Sequence, residues 1–492
     1  MAGCARHVED FEFSEEQIGE AVEAGRLLTM EIEFSRRCNF QCAYCYVPQG
    51  ALFKNELCAD ELRDAIEQGR ELGARKIIIL GGEPTIYPRF LEMVEFIRSR
   101  GLDVEVFTNG SGVTSEVARR LFAARARVVL KMNTLDEGIQ DMLAGKQGSF
   151  RLIQRAFRNL REAGYPSDEA FLAVSTVICR QNADELAGMW QWLRDQDIAP
   201  YFEMITPQEN AWQNEELSVG VEKVRAVFRA IAEIDRERYG RTWDPQPPLV
   251  GQKCMRHKFS CLVSSQGDVM PCVGVNVPIG NIRERKLAEI VRDSEVLEEL
   301  KAHVRTIKGP CRTCEKASVC YGCRGAAYQM TGDYLASDPL CWKNAERQDE
   351  IVRLPVAAGR VVPQGWPMRV IDSVMRTGER SGEVCVTVSE EMPFVDEDGV
   401  LDGVAYFEMM AQSLAAVNGF KQLGTGASPS EGYLVGAESV EIVGRARVGD
   451  KLNISVYKDT RFGKYAIIKG IVARDNTLLA RGRIKVWHDA AS

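Results

Sequence analysis

The chain has no uninterrupted apolar run approaching eighteen residues and no long basic run, although it is 492 residues long. The first absence argues against a membrane-spanning helix. The second leaves neither a nucleic-acid groove nor a polybasic patch for an anionic bilayer. Its 62 basic residues are dispersed among 70 acidic ones, for a net charge of −8. The first residues, MAGCARHVEDFEF, are acidic and carry no apolar centre, so they do not read as a secretory signal. The expectation is a cytoplasmic protein with no membrane and no nucleic-acid partner. Its length allows two to four domains. A composition of 45 % hydrophobic and 27 % charged residues is ordinary for such domains.

Cysteine, by contrast, is plentiful, with fifteen residues. A reducing compartment disfavours structural disulfides. Cys4, Cys58, Cys179 and Cys385 are scattered singly and read as ordinary thiols. The other eleven fall into two spaced groups, a pattern that points to metal.

Periodicity divides the chain into five regions. Residues 1–28 hold a helix announced by Ser14 and Gln17, a capping-box pair, with Phe13 and Ile18 placed as a hydrophobic staple. Residues 29–235 alternate strand candidates (Met30–Phe34, Lys76–Leu80, Val104–Thr108, Val128–Asn133, Leu172–Ile178, Tyr201–Ile205) with amphipathic helical stretches. Six such βα units predict an α/β architecture, a parallel sheet curled into an incomplete (β/α)6 barrel of the TIM type. Residues 236–350 are rich in cysteine and short in regular apolar periodicity, as expected where metal replaces a core. A Pro- and Gly-rich linker, 351–366, precedes a final α+β region, 367–492. That region has one long apolar helix, Val404–Leu423, and five alternating strands from Glu383 to Trp487.

The first cysteine group is Cys38-Asn-Phe-Gln-Cys42-Ala-Tyr-Cys45, directly after the first strand. Three thiolates on one tight loop suit three irons of a [4Fe–4S] cube, and the fourth iron is then open for chemistry. A zinc knuckle would want a fourth ligand close by, and none follows. One βα unit later, Gly81-Gly82-Glu83-Pro84 stands at the C-terminal end of the second strand, where active sites of parallel α/β sheets lie. The two glycines allow close backbone approach there.

Together these motifs resemble the radical SAM superfamily over about residues 29–235. The resemblance implies that Cys38, Cys42 and Cys45 bind a cluster whose unique iron chelates S-adenosylmethionine, with Gly81, Gly82, Glu83 and Pro84 at the methionine end and Glu83 facing its ammonium group. It also implies one-electron cleavage to a 5′-deoxyadenosyl radical, with a flavodoxin- or ferredoxin-type protein as electron donor. Lys131, Asn133 and Thr134 on the fourth strand fall where relatives contact the cofactor. Met142-Leu143-Ala144-Gly145 stands where an arginine is often seen, so Lys131 and Lys146 are the alternative partners for the cofactor carboxylate.

The second group is Cys254, Cys261, Cys272, then Cys311-x2-Cys314-x5-Cys320-x2-Cys323, and Cys341. Eight cysteines suit two fully ligated [4Fe–4S] clusters, and spacing alone suits zinc as well. With Gly322-Cys323-Arg324-Gly325 and Asp338-Pro339-Leu340-Cys341-Trp342, the array resembles the SPASM extension of radical SAM enzymes. That family pattern implies three clusters in all. Cys254, Cys261, Cys272 and Cys323 would hold the auxiliary cluster nearer the substrate, and Cys311, Cys314, Cys320 and Cys341 the outer one. Valine follows Cys272 where sulfatase-maturing members carry an acid, which argues against formylglycine formation. His257 reads either as an acid–base group or as simple packing beside a cluster.

The final region, through Pro393-Phe-Val-Asp-Glu-Asp-Gly399, Gly403-Val-Ala-Tyr-Phe-Glu-Met-Met-Ala-Gln412 and Ala480-Arg-Gly-Arg-Ile-Lys-Val-Trp487, resembles the hotdog-fold hydroxyacyl-carrier-protein dehydratases, nearest to the aryl polyene type. Glu408 takes the place of the helix carboxylate and is the one candidate catalytic side chain. Phe394 occupies the offset of its histidine partner, and His488 is the only histidine of the region. Glu408 therefore reads either as a catalytic remnant or as a polar group satisfied at a dimer seam, and the resemblance implies a homodimer. Two substrate readings follow: an acyl or aminoacyl group on an acyl or peptidyl carrier protein, or a ribosomal precursor peptide. A non-catalytic iron–sulfur electron carrier is the third reading, opposed by the intact open-cluster motif.

Overall fold

Helix α1 (Glu15–Glu23) starts where the sequence says it should. The Gln17 N–H donates to Ser14 Oγ (3.2 Å) and the Ser14 N–H to Gln17 Oε1 (3.0 Å), and Phe13 packs with Ile18. The computed structural model describes residues 13–47, 54–378, 380–423, 432–475 and 477–488; Cys4 lies outside them. The chain forms two units, Met1–Gln329 with Tyr334–Gln348, and Met330–Asp333 with Asp349–Ser492.

In the first unit six strands repeat with helices: β1 (Thr29–Glu33), β2 (Lys76–Leu80), β3 (Asp103–Thr108), β4 (Arg127–Lys131), β5 (Leu172–Ile178) and β6 (Ala199–Met204). All pair in parallel with their sequence neighbours, so each connection is a helical crossover. These crossovers include α2 (Ala59–Glu71), α3 (Phe90–Ser99), α4 (Ser115–Ala123), α5 (Glu137–Leu143), α6 (Ser149–Ala163) and α7 (Leu186–Arg194). The incomplete barrel is as expected, with boundaries moved by one or two residues. Its far edge is new. The short strand β7 (Ser260–Val263) pairs in parallel with β1 and carries β8 (Asp268–Met270) and β9 (Gly280–Asn281) antiparallel beyond it. All four residues of β7 are buried, so it shows no alternation for sequence reasoning to detect.

Strand alternation sorts the side chains. Met30 and Ile32 join the main core with Leu62, Ile66, Ile77 and Ile79. Thr29 and Glu31 of the other face line a cavity together with Glu105, Arg127 and Tyr201. Outside the sheet, α7 is tied to the helix after β6 through one buried carboxylate. Asp235 accepts from Arg194 Nε (3.1 Å) and Nη2 (2.8 Å), from Trp190 Nε1 (2.8 Å) and from Trp243 Nε1 (2.9 Å). Neither partner of this ion pair is exposed.

The second unit is a seven-stranded antiparallel sheet in the order β10-β11-β12-β14-β15-β16-β13. The strands are β10 (Val356–Ala357), β11 (Ser373–Thr377), β12 (Ser381–Thr387), β13 (Gly432–Ile442), β14 (Lys451–Phe462), β15 (Tyr465–Arg474) and β16 (Thr477–His488). Part of the stretch read as a linker thus supplies an edge strand. The helix Ala405–Leu423 packs on this sheet and buries Tyr406, Met409, Met410, Leu414, Val417 and Phe420. Gly419 lowers its helix propensity, but a Cβ there would stand 1.9 Å from the Val361 carbonyl oxygen. Among the described residues no helix is long and apolar enough to cross a membrane.

Asp235→Ala strands a buried guanidinium and two indole N–H groups. We expect a loss of about 3–5 kcal/mol of stability, measured as a lower denaturant midpoint of the cluster-free protein.

Candidate active site and cysteine clusters

The loop carrying Cys38, Cys42 and Cys45 is clamped by backbone on two sides. On one side, the Gly82 N–H donates to Ser35 O (2.8 Å) and the Glu83 N–H to Arg37 O (2.9 Å). Cβ atoms at Gly81 and Gly82 would stand 2.3 and 2.1 Å from the carbonyl oxygens of Ser35 and Arg37. The two glycines therefore serve the loop's own approach to β2. On the other side, Gln41 N–H and Ala43 N–H donate to Ala144 O and Leu143 O, both at 3.0 Å. Gly145, at φ +57°, again leaves no room for a Cβ against Gln41 O. Met142–Gly145 thus forms a rail for the cysteine loop. Asn210 and Asn214 complete the clamp, donating to the carbonyls of Cys42 and Ala43, each at 2.9 Å.

Glu83 is buried, and its carboxylate binds protein. Oε1 accepts from the Thr85 N–H (3.0 Å), the Thr85 hydroxyl and the Thr108 hydroxyl (2.6 Å), and Oε2 accepts from the Asn109 N–H (2.6 Å). Burial pushes its carboxyl up, and these four donors work against that shift. Glu83 thus joins the ends of β2 and β3, while Pro84 opens the tight turn Pro84–Ile86. Sequence reasoning passed over Asn109, whose Nδ2 reaches Cys38 Sγ (3.7 Å) and Asn39 Oδ1 (3.1 Å). The Thr108-Asn109-Gly110 turn after β3 was its only signal.

Of the other expected cofactor residues, Lys131, Asn133 and Thr134 also make hydrogen bonds within the protein. Lys131 Nζ donates to Ser175 Oγ (3.0 Å) and Glu203 Oε1 (3.4 Å), and lies 5.4 Å from the Tyr44 ring centroid. Asn133 is fully buried; its Nδ2 donates to the Tyr44 hydroxyl (2.6 Å) and its Oδ1 accepts from Val177 N–H (3.0 Å). Thr134 is also buried and caps Asp136 N–H (3.0 Å). Lys146 is half-exposed in the turn after α5.

The cysteines sort by their electrostatic neighbours. All those described are free thiols. Burial pushes Cys38 up to about 11 and Cys42 up to about 12, and the neighbouring Cys45 adds to both. Cys272 and Cys323 are raised first by burial and then, among other neighbours, by Cys254. Cys320 and Cys341 are raised first by burial, then by Asp338 and by Cys311. This gives three gatherings: 38/42/45, 254/272/323 and 311/314/320/341. Cys261 stands apart on β7, within the core, raised by burial and by Glu31 with Lys301 opposing. Its membership of the second gathering was assigned by family pattern, which does not see that β7 turns this sulfur toward the helices.

Donors point at the sulfurs. Phe40 and Val47 N–H groups donate to Cys38 and Cys45 (both 3.4 Å), and Val275, Gly322 and Ala326 N–H groups to Cys272, Cys320 and Cys323 (each 3.3 Å). Asn344 Nδ2 donates to Cys311 Sγ (3.3 Å). Thiols this buried ionise only with a compensating cation, and N–H donors aimed at sulfur favour the thiolate. These residues therefore fit thiolate-bound metal. Among the described residues, no three Cys, His, Asp or Glu side chains are closed around a single-ion position. His257 Nε2 lies 4.0 Å from Cys272 Sγ; burial, then the Arg324 and Arg256 charges, push the imidazole down to about 3. Its ring also packs against Tyr321, with centroids 5.5 Å apart. A cavity of about 400 Å³ lies inside the barrel, lined by Phe107, Phe171, Tyr201, Leu249, Cys254 and Arg256 among others. Glu31 binds Arg256 there (2.5 Å).

Three family models match this chain: the radical SAM superfamily over residues 32–193, the SPASM iron–sulfur cluster-binding domain over 254–315, and the ApeP dehydratase over 356–491. The chain carries a radical SAM domain, a SPASM domain and an ApeP-like domain. The enzyme is 28 % identical to an AdoMet-dependent heme synthase of Methanosarcina barkeri over 65 % of this chain and 96 % of that protein. It is 29 % identical to a PqqA peptide cyclase of Streptomyces rochei over 68 % of this chain and 96 % of that protein. The structure of Streptococcus suis SuiB bound to precursor peptide SuiA shares its fold, with a TM-score of 0.52 at 16 % identity over 66 % of this chain and 79 % of that one.

In the ApeP-like module Glu408 is half-buried and accepts from Gln412 Nε2 (2.8 Å). Gln412 also donates to Met368 O (2.7 Å) and accepts the Val370 N–H (3.0 Å). Phe394, in the histidine's place, has φ +82° and is 36 % exposed.

Glu83→Gln puts an amide N–H₂ against a donor in either orientation. The loss of one charge-assisted bond is expected to cost about 1.5–3 kcal/mol. A lowered melting temperature of the cluster-free enzyme checks it, and an unchanged one contradicts the anchoring role.

Proposed function

We propose that the enzyme oxidises an acyl or aminoacyl group held on a carrier protein, with the ApeP-like module receiving the thioester. The observation that carries this reading is the union, in one chain, of a radical SAM and SPASM unit with a dehydratase-like module that keeps Glu408 and lacks its histidine. Cys38, Cys42 and Cys45 would hold the first [4Fe–4S] cluster. Cys254, Cys272 and Cys323, with Cys261 by family pattern, would hold the inner auxiliary cluster, and Cys311, Cys314, Cys320 and Cys341 the outer one. When bound, these clusters and S-adenosylmethionine supply a 5′-deoxyadenosyl radical for hydrogen abstraction and an acceptor for the substrate's electron.

The protein's own part is placement. Glu83, Asn109 and the glycine contacts fix the cysteine loop. Phe107 and Tyr201, edge to face with centroids 6.0 Å apart, give the lumen dry walls for a reactive substrate carbon. The Glu31–Arg256 pair offers a polar end for an amide or carboxylate. Electrons would come from a flavodoxin- or ferredoxin-type donor. The homodimer reading is supported by β13, an edge strand with Tyr433 and Val435 more than half exposed. The 29 % identity to a PqqA peptide cyclase favours a second reading, a precursor peptide as substrate, in which the module serves dimerisation alone.

The anaerobically reconstituted enzyme is expected to hold about twelve irons per chain, and replacing Cys38, Cys42 and Cys45 by alanine to remove about a third. Iron analysis showing four irons with zinc would contradict the auxiliary assignment. Reduced enzyme is expected to release 5′-deoxyadenosine, with faster release on aminoacyl- or acyl-loaded carrier protein than on peptides; acceleration by a peptide alone selects the second reading. The full chain is expected to show little hydration of crotonyl thioesters, because no histidine stands in the family's position. Robust turnover abolished by Glu408→Gln would make the chain bifunctional.

A further inference from the structure

One buried group beside the inner cysteines has hydrogen-bonding capacity that the protein does not use. Arg324 directly follows Cys323 and is 1 % exposed. Its Nη1 donates to the carbonyls of Tyr334 (3.0 Å) and Ala336 (2.6 Å). Its Nε and Nη2 are buried and have no hydrogen-bond partner among the described residues. The guanidinium folds back over Gly322, where a Cβ would stand 3.1 Å from Nη2. Asp338 reaches the same glycine, but its carboxylate accepts from the Cys323 and Leu340 N–H groups (2.8 and 2.9 Å) and makes no hydrogen bond to the guanidinium.

A guanidinium stays charged at any working pH. Burying one without compensation is costly, and orphaned donors add to that cost. The thiolates of the inner cluster would supply compensating negative charge. A second donor points the same way. The Tyr321 hydroxyl donates to Cys254 Sγ at 3.8 Å. Its ring is held between His257 and His303, with centroids 5.5 and 5.3 Å away. Tyr321 and Arg324 thus approach the inner site from the segment that separates Cys320 from Cys323 and the residue after it.

We propose that Arg324 is the counter-cation, and Tyr321 the hydroxyl donor, that together set the reduction potential of the inner auxiliary cluster. This rests on the cluster reading of the cysteines given above. The couple is a one-electron one: oxidised cluster plus one electron gives reduced cluster, with no covalent bond made or broken. The added electron makes an already anionic centre more negative. A buried positive charge and a hydrogen bond to a ligand sulfur stabilise that reduced state and raise its potential. Both residues act through the cluster and are positioning residues. A higher potential favours accepting an electron from a substrate radical.

The test is an EPR-monitored redox titration of the reconstituted full chain, comparing wild type with Arg324→Gln, Arg324→Lys and Tyr321→Phe. Arg324→Gln is expected to weaken reduction of the inner cluster about tenfold, equivalent to about 59 mV for one electron. Arg324→Lys should recover part of this, and Tyr321→Phe should move the potential the same way by less. The couple of the Cys38–Cys45 cluster should stay where it is. Full iron content with an unmoved inner potential in both Arg324→Gln and Tyr321→Phe overturns the inference alone. If Arg324→Gln fails to load the inner site, Tyr321→Phe decides: a lowered potential supports the proposal and an unmoved one overturns it. Wild-type enzyme with only four irons overturns the cluster reading, and the inference with it.

Discussion

Everything at the catalytic end depends on how closely the backbone approaches the loop from Ser35 to Cys45. Three cysteines within eight residues define a fixed triangle only if the loop between them cannot breathe. Here the clamp is main chain on main chain, from Gly82 and Glu83 on one flank and Leu143 and Ala144 on the other. Such contacts tolerate no Cβ at positions 81, 82 and 145. Glu83 then couples the clamp to β3, and Asn133 couples it through Tyr44 to β4 and β5. The side chains nearest the chemistry are thus largely spent on holding the loop.

The barrel interior follows a different economy. Its carboxylates are buried and matched by cations. The Lys76 and Arg127 charges overcome burial and hold Glu105 down at about 2. Arg256 is likewise paired with Glu31, whose carboxyl burial pushes up. Paired charges of this kind give a lumen that is polar in places yet shielded from bulk water. The Asp235 node works outside the sheet in the same manner, tying two helices through one carboxylate.

Much of this was legible in the sequence, for reasons that particular residues make plain. The capping box at Ser14, the β-branched-rich runs of β2 and β5, and the Gly-marked returns between units are local signals, and the elements formed where those signals lay. The two metal motifs are also local, since cysteine spacing is written along the chain. What was not legible is non-local. β7 pairs with a strand more than two hundred residues earlier, and its fully buried pattern hides its type. Nothing in the sequence shows that Lys131 reaches Ser175 and Glu203, or that Thr134 caps Asp136. The partners of Glu83 (Thr85, Thr108 and Asn109) were equally invisible along the chain. Cys261 was grouped with Cys254, Cys272 and Cys323 by family pattern, and its place on β7 within the core was not visible in the sequence.

Cys320 and Cys323 belong to different gatherings yet are separated only by Tyr321 and Gly322, and Asp338 holds the Cys323 backbone three residues before Cys341. Whichever auxiliary centre forms first fixes the main chain that the other needs. On the two-cluster reading, maturation of this region is therefore cooperative. A chain that has received one centre is preorganised for the second, so half-loaded molecules are a minority between empty and complete ones.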